Sequence, residues 1–287
     1  MRFAVWLKVS RPGFWTTSIW FYLMPIGGLD VFGELPFWIG VLYVTFPLGL
    51  LIYGWNDIAD WATDERNPRK DSYLFGARPT DRERAILPIG ITLVQVPFFV
   101  YVCVVEGVVR GVALFAALGL AVALYNWPRW GFKNWPVVDL LNQSGYLLVF
   151  VLASWLCDVP HLSWQAFLFG AAFAMHSHLF GAIMDIEPDS AAGRRTTAVM
   201  LGRIPAKFVV AAMLLLEAAW VHSWFGEIVT TIVLCLGALW FVLDATIVWR
   251  GNAYSSAVAK TFLIGWNLAA VCSAPWVWYT AAFVHVQ

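Results

Sequence analysis

The sequence predicts an all-α polytopic membrane protein, with about nine transmembrane helices around a central cavity. Three observations predict it. The 287 residues are 61% hydrophobic and only 13% charged, whereas a soluble domain is roughly half apolar and a quarter charged. Mean hydropathy is +0.71, and apolar stretches near the roughly 20 residues needed to cross a bilayer recur along the chain. The basic residues also alternate: all of the 18 Lys and Arg except Arg110 fall at the N-terminus or after even-numbered spans. Because cytoplasmic loops collect Lys and Arg, this puts the N-terminus in the cytoplasm and, with nine spans, the C-terminus outside.

The first span, 14–31, follows Arg2, Lys8 and Arg11. Its basic start resembles a signal peptide, but no small-x-small cleavage site follows and the apolar run reaches spanning length. The second span, 37–55, leads into the longest non-apolar connection, 56–85, and long ordered loops are often functional. Spans at 86–105, 111–127, 137–157, 164–184, 205–224, 228–249 and 261–283 complete the series. Backbone groups in lipid must be satisfied internally, so these are helices, and no barrel-type alternation is visible. No Gly/Ser linker interrupts the pattern, so residues 1–287 read as a single transmembrane domain. Cys103, Cys157, Cys235 and Cys272 lie inside apolar stretches without C-x-x-C spacing, as packing residues rather than a disulfide or zinc framework.

Charge gathers at two exits. After the second span come Asn56, Asp57, Asp60 and Asp64, and on a continued helix Asn56, Asp60 and Asp64 share one face at i, i+4, i+8. After the sixth come Asp185 and Asp189, again i, i+4, with Pro188 disfavouring helix at Glu187, so a bent helix end is expected. Four spans separate the clusters, which returns them to the same, cytoplasmic, face. Carboxylates this close repel unless a cation lies between them. Oxygen-only ligands favour a hard ion such as Mg2+, which commonly shares its shell with substrate phosphates. Arg66, Arg69, Lys70 and Arg78 follow the first cluster, and Arg194 and Arg195 the second. Acids interleaved with guanidiniums suit a metal-bridged diphosphate. Solvated anchoring charge is the plainer reading of either cluster alone. Two clusters on one face point instead to an active site there.

At these residues the sequence resembles the UbiA superfamily of intramembrane prenyltransferases, whose N-D-x-x-D-x-x-x-D and D-x-x-x-D motifs stand here as Asn56 to Asp64 and Asp185 to Asp189. Ser10-Arg11-Pro12 and Arg78-Pro79 also look like family features. The family's Y-x-x-x-K element appears as Tyr125 to Arg129, with Arg in place of Lys and Lys133 as a candidate substitute. The resemblance implies that Asn56, Asp57, Asp60, Asp64, Asp185 and Asp189 hold Mg2+, with Asp60, Asp64, Asp185 and Asp189 as the catalytic acids. It further implies that Arg66, Arg69, Lys70, Arg78, Tyr125, Arg129, Lys133, Arg194 and Arg195 bind the diphosphate of an isoprenyl donor. A hydrophobic acceptor inside the bilayer would then attack the allylic cation, with water excluded. Trp55 and Trp61 offer cation–π faces to that cation, packing being their plainer role. No nucleic-acid partner is expected.

The stretches Asn56 to Lys70 and Asp185 to Ala198 look closest to the lycopene elongase branch of C50 carotenoid biosynthesis. Quinone-precursor, aromatic-ring and chlorophyll-type branches share the catalytic motifs. A secondary transporter is the non-enzyme alternative, predicting an internal repeat and ionisable groups at mid-membrane; no clear repeat is found. His176 and His178 point to different helix faces, so one at most joins the site. Asp139, Glu217 and Asp244 are costly in lipid, which suggests cavity or interhelical positions.

Overall fold

The computed structural model describes residues 3–65, 67 and 69–286. Short helices α1 (Phe3–Val9) and α2 (Trp15–Leu23) precede α3 (Leu35–Ala59), which is followed by the single turn α4 (Trp61–Asp64). The hairpin of α5 (Asp81–Glu106) and α6 (Val108–Asn126) comes next. Then come α7 (Val138–Leu141), α8 (Leu148–Leu156), α9 (Trp164–Met184), α10 (Ile186–Ala191) and α11 (Thr197–Leu201). The chain ends with α12 (Arg203–Phe225), α13 (Ile228–Val248) and α14 (Ser256–Thr280).

Among the described residues seven helices, α3, α5, α6, α9, α12, α13 and α14, are long and apolar enough to cross a membrane. The other two expected spans are helical but not continuous at that length. The first stops at a tight turn, Met24–Ile26, because Pro25 enters it and Gly28 follows in the left-handed region (φ 77°). The fifth is broken by a 3-10 stretch at Asn142–Leu147. There Gln143 donates to the Asp139 carbonyl (3.0 Å) and Ser144 to the Leu141 carbonyl (2.8 Å), side-chain bonds that compete with regular helix.

Packing runs around a bundle. The α3 helix lies on α2 and α5, α5 on α6, α6 on α8 and the 142–147 segment, and α9 on that segment and on α12, which packs on α13. Finally α14 returns to α2. Three polar bonds fix this return: Thr16 Oγ1 donates to Asn267 Oδ1 (2.6 Å), Asn267 Nδ2 to the Gly13 carbonyl (2.7 Å), and Trp266 Nε1 to Thr17 Oγ1 (2.9 Å). Such bonds hold helices together where lipid supplies no hydrophobic drive.

One irregularity positions the site. The α3 helix widens into a π turn at Leu50–Gly54, immediately before Asn56 and Asp57. Gly49 lets the backbone of Ser10 press against this helix, since a Cβ there would stand 2.4 Å from the Ser10 carbonyl oxygen. The N-terminal turn is thereby seated against α3.

Candidate active site

Both long helices end in the same way. Asp60 breaks α3 from α4 (φ −101°, ψ 7°), and Asp185 breaks α9 from α10 (φ −101°, ψ 6°). Across each break the backbone still bonds four residues back, Asp64 N to the Asp60 carbonyl and Asp189 N to the Asp185 carbonyl, both 2.9 Å. The expected i, i+4 carboxylate spacing is therefore realised across a bend rather than along a straight face. Pro188 falls in the first turn of α10, where its missing N–H has no partner to lose.

Cations from other segments reach into the first exit. Arg11, in the left-handed region (φ 48°), donates to Asn56 Oδ1 (3.2 Å) and Asp57 Oδ1 (2.8 Å) and lies 4.5 Å from the Tyr53 ring centroid. A non-glycine residue held there costs about 1 kcal/mol or more, a strain typical of functional positions. Lys70 Nζ bridges Asp57 Oδ1 (2.7 Å) and Asp64 Oδ2 (2.5 Å). The Gly76 backbone (φ 99°) covers this corner, for a Cβ there would meet Arg11 Nε at 2.9 Å. Asp60 accepts from Asn56 Nδ2 (2.9 Å), pairs with Lys133, and receives Arg194 Nη2 at 2.5 Å. Asn126 joins the set, accepting from Asn56 Nδ2 and Lys133 Nζ, both 3.3 Å.

The two exits meet through Arg194, whose other nitrogen, Nη1, pairs with Asp189 Oδ1 at 3.0 Å. Asp185 pairs with Arg69 and accepts from Asn67 Nδ2 (3.4 Å), so the loop after the first exit also touches the second. Arg78 supports that loop by donating to the Asn67 carbonyl (2.8 Å). Burial, against the pull of Lys70, lifts the Asp64 carboxyl to about 6, with the Asp57 charge adding to the rise. Burial likewise lifts Asp189 to about 7, opposed by Arg194 and helped by Asp185 and Asp60. It also lowers the Lys133 ammonium, against Asp60.

Other predicted residues fall elsewhere. Arg129 (φ 71°) and Arg195 are exposed and make no ion pair among the described residues, and Arg66 lies outside those residues. In the Tyr125 to Lys133 segment it is Lys133 that enters the cluster. Tyr125 instead contacts His178 Nε2 (3.3 Å), and Tyr53 and Tyr146 share a hydroxyl contact (2.9 Å). His176 turns away to Glu217 (2.8 Å) between α9 and α12, both buried. Asp244 is buried against Lys207 (3.0 Å) and Tyr254. Trp55 and Trp61 lie at the surface, Trp61 under the Arg84 guanidinium at 4.1 Å. Gly76 and Asn126 carried no signal of their own in the sequence beyond lying beside the motifs, and Asn67 stood out only as part of the Asn56 to Lys70 stretch.

Among the described residues no three Asp, Glu, His or Cys side chains already stand in a metal-holding arrangement, because Lys and Arg occupy the spaces between the carboxylates. The donors are nonetheless all oxygen, Asp57 Oδ2 is buried without a hydrogen-bond partner, and burial holds Asp64 and Asp189 above the usual carboxylate range. That donor set fits a hard divalent cation.

The profile described as the UbiA prenyltransferase family matches residues 14–268. The chain is 30% identical, over 73% of its length, to the C(50) beta-cyclic carotenoids biosynthesis protein LbtBC of Dietzia sp. (strain CQ4), and spans 50% of that relative. It is 32% identical over 74% of its length to the lycopene elongase/hydratase of Halobacterium salinarum, spanning 76% of it. In fold it is similar to a UbiA homolog from Archaeoglobus fulgidus solved with DMAPP and Mg2+, with a TM-score of 0.65 and 17% identity, covering 93% of this chain and 99% of that one.

Proposed function

The chain belongs to the UbiA prenyltransferase family, and we propose that it transfers a short prenyl group from an allylic diphosphate to a polyene such as lycopene, extending it toward a C50 carotenoid. The observation that carries the reading is Arg194, which pairs with Asp60 of one acidic exit and Asp189 of the other, so that both exits would face one diphosphate. Asn56, Asp60 and Asp64 on one side and Asp185 and Asp189 on the other would hold Mg2+. When bound, the metal neutralises the diphosphate and makes it a leaving group.

The chain's own residues do the rest. Lys70, Lys133, Arg69 and Arg194 exchange their carboxylate partners for diphosphate oxygens and so bind the charge of the donor. The allylic C–O bond breaks with its electron pair going to the diphosphate, and a double bond of the acceptor then forms a C–C bond to the allylic carbon. The resulting cation loses a proton to give an alkene, or takes up water and then loses a proton to give an alcohol. The Tyr53, Tyr146, Tyr125 and His178 side chains come from helices surrounding the site. They would form the wall between its charged floor and the apolar bundle, limiting water around the cation.

The names of the relatives support the polyene acceptor and the small donor. The one-sided distribution of Lys and Arg supports a cytoplasmic site. Expression in a lycopene-producing bacterium, followed by mass analysis of the pigments, tests the reading. Pigments heavier by C5H8 units, with or without water, are expected. Unchanged pigments beside turnover of an aromatic acid by the purified protein would reassign the acceptor.

A further inference from the structure

Lys133 and Arg194 both contact Asp60, yet neither sits on a long helix. Lys133 lies in the 127–137 connection and Arg194 in the turn between α10 and α11. Two irregular segments that place cations accurately need something to hold them. The bonds found there come from a buried group outside both acidic motifs.

Asp139, fully buried at the start of α7, accepts from the backbone N–H of Thr197 (2.8 Å), from the Thr197 hydroxyl, and from the N–H of Leu140 (3.0 Å). The Thr197 hydroxyl, donating to Asp139, accepts in turn from the N–H of Val137 (2.6 Å). Val137 has φ 72°, and a β-branched residue with positive φ is a genuine outlier that persists only where surrounding bonds over-determine it. A carboxylate removed from water is tolerated only when its oxygens are satisfied, as they are here. The clasp thus joins the segment four residues after Lys133 to the segment three residues after Arg194.

We propose that Asp139 and Thr197 are positioning residues for diphosphate binding, holding Lys133 and Arg194 at one separation so that both cations reach the same anion. The inference rests on the prenyl-diphosphate reading above and adds to it residues outside either acidic motif. The clasp touches no reacting atom and acts only through the two cations. It therefore governs binding of the donor more than the chemical step.

The experiment follows Mg2+-dependent pyrophosphate release from dimethylallyl diphosphate by the purified full chain with acceptor present. Thr197→Val keeps the side-chain shape and removes the hydroxyl. It is expected to raise KM for the diphosphate about tenfold while kcat changes less than about threefold, the signature of lost uniform binding. Thr197→Ser restores KM to within about twofold of wild type. In a Lys133→Met background, adding Thr197→Val raises KM by less than it does in wild type, because one of the two cations it positions is already gone. If Thr197→Val does not purify as folded protein, Asp139→Asn carries the same expectation. An unmoved KM, failure of serine to rescue, or additive effects in the double variant overturns the clasp. Wild-type protein that releases no pyrophosphate overturns the clasp together with the prenyl-diphosphate reading, whereas wild-type turnover with an unmoved KM overturns the clasp alone.

Discussion

The exits of α3 and α9 share a backbone device and differ in what surrounds it. Each long helix bends at an aspartate with φ −101° and resumes for one short helix, so a second carboxylate follows four residues later. At the first exit Asp57 and Asp60 are buried, and Arg11, Lys70, Lys133 and Arg194 converge from separate segments. At the second, Asp189 is buried against Arg194, but the Asp185 side chain is 41% exposed and has Arg69 as its cation. The comparison teaches that helix geometry sets the carboxylate spacing, while tertiary structure decides how firmly each carboxylate is held. The first exit is the braced half of the site and the second the adaptable half.

Asp60→Asn is expected to be the most damaging single change, because it leaves the buried Lys133 and the half-buried Arg194 beside each other without their shared acid. A loss on the order of 10³-fold in kcat/KM is expected, the scale seen when a charge-stabilising group is removed from a dry site. Asp185→Asn, at the looser exit, should cost about tenfold less. Steady-state kinetics on the purified variants checks the order, and equal losses would erase the distinction between the exits. Next in size is Arg194→Met, which should raise KM for the donor on the order of 10-fold by removing the tie between them. Its neighbour Arg195→Ala, exposed and unpaired among the described residues, should leave both constants within about twofold.

A smaller effect distinguishes bare from metal-loaded acids. The folded values of Asp64 and Asp189, about 6 and about 7, lie above the ordinary 3.8. Their contribution to stability is therefore full below 3.8 and lost as pH rises through about 6 and about 7. A cation that replaces the missing proton restores it, so the rise in Tm produced by Mg2+ should be larger at pH 8 than at pH 5.5. A thermal-shift series with and without Mg2+ reads this, and a pH-independent rise would show that these two acids do not meet the metal.

What was legible in the sequence follows the range of the forces involved. Apolar runs and i, i+4 acids are local, and seven of the nine expected spans and both acidic exits appear where local pattern puts them. The breaks in the first and fifth helical segments depended on how Pro25 and the Asn142–Ser144 side chains use backbone groups, which hydropathy does not register. The cations were harder still. Lys133 rather than Arg129 enters the cluster because the 127–137 connection folds back toward Asp60. Arg11 arrives from 46 residues away along the chain. Asp139 was conspicuous as a costly charge, but its partner Thr197 lies 58 residues further on, within the Asp185 to Ala198 stretch, and nothing in the local pattern pairs the two.

The central claim is that the two exits form one site and not two. Calorimetric titration of dimethylallyl diphosphate in the presence of Mg2+ tests it most directly, using wild type, Asp60→Asn and Asp189→Asn. One site predicts that wild type binds, that chelation abolishes binding, and that either substitution alone abolishes it too. Binding of wild-type strength in either variant, or in chelator, would contradict the account.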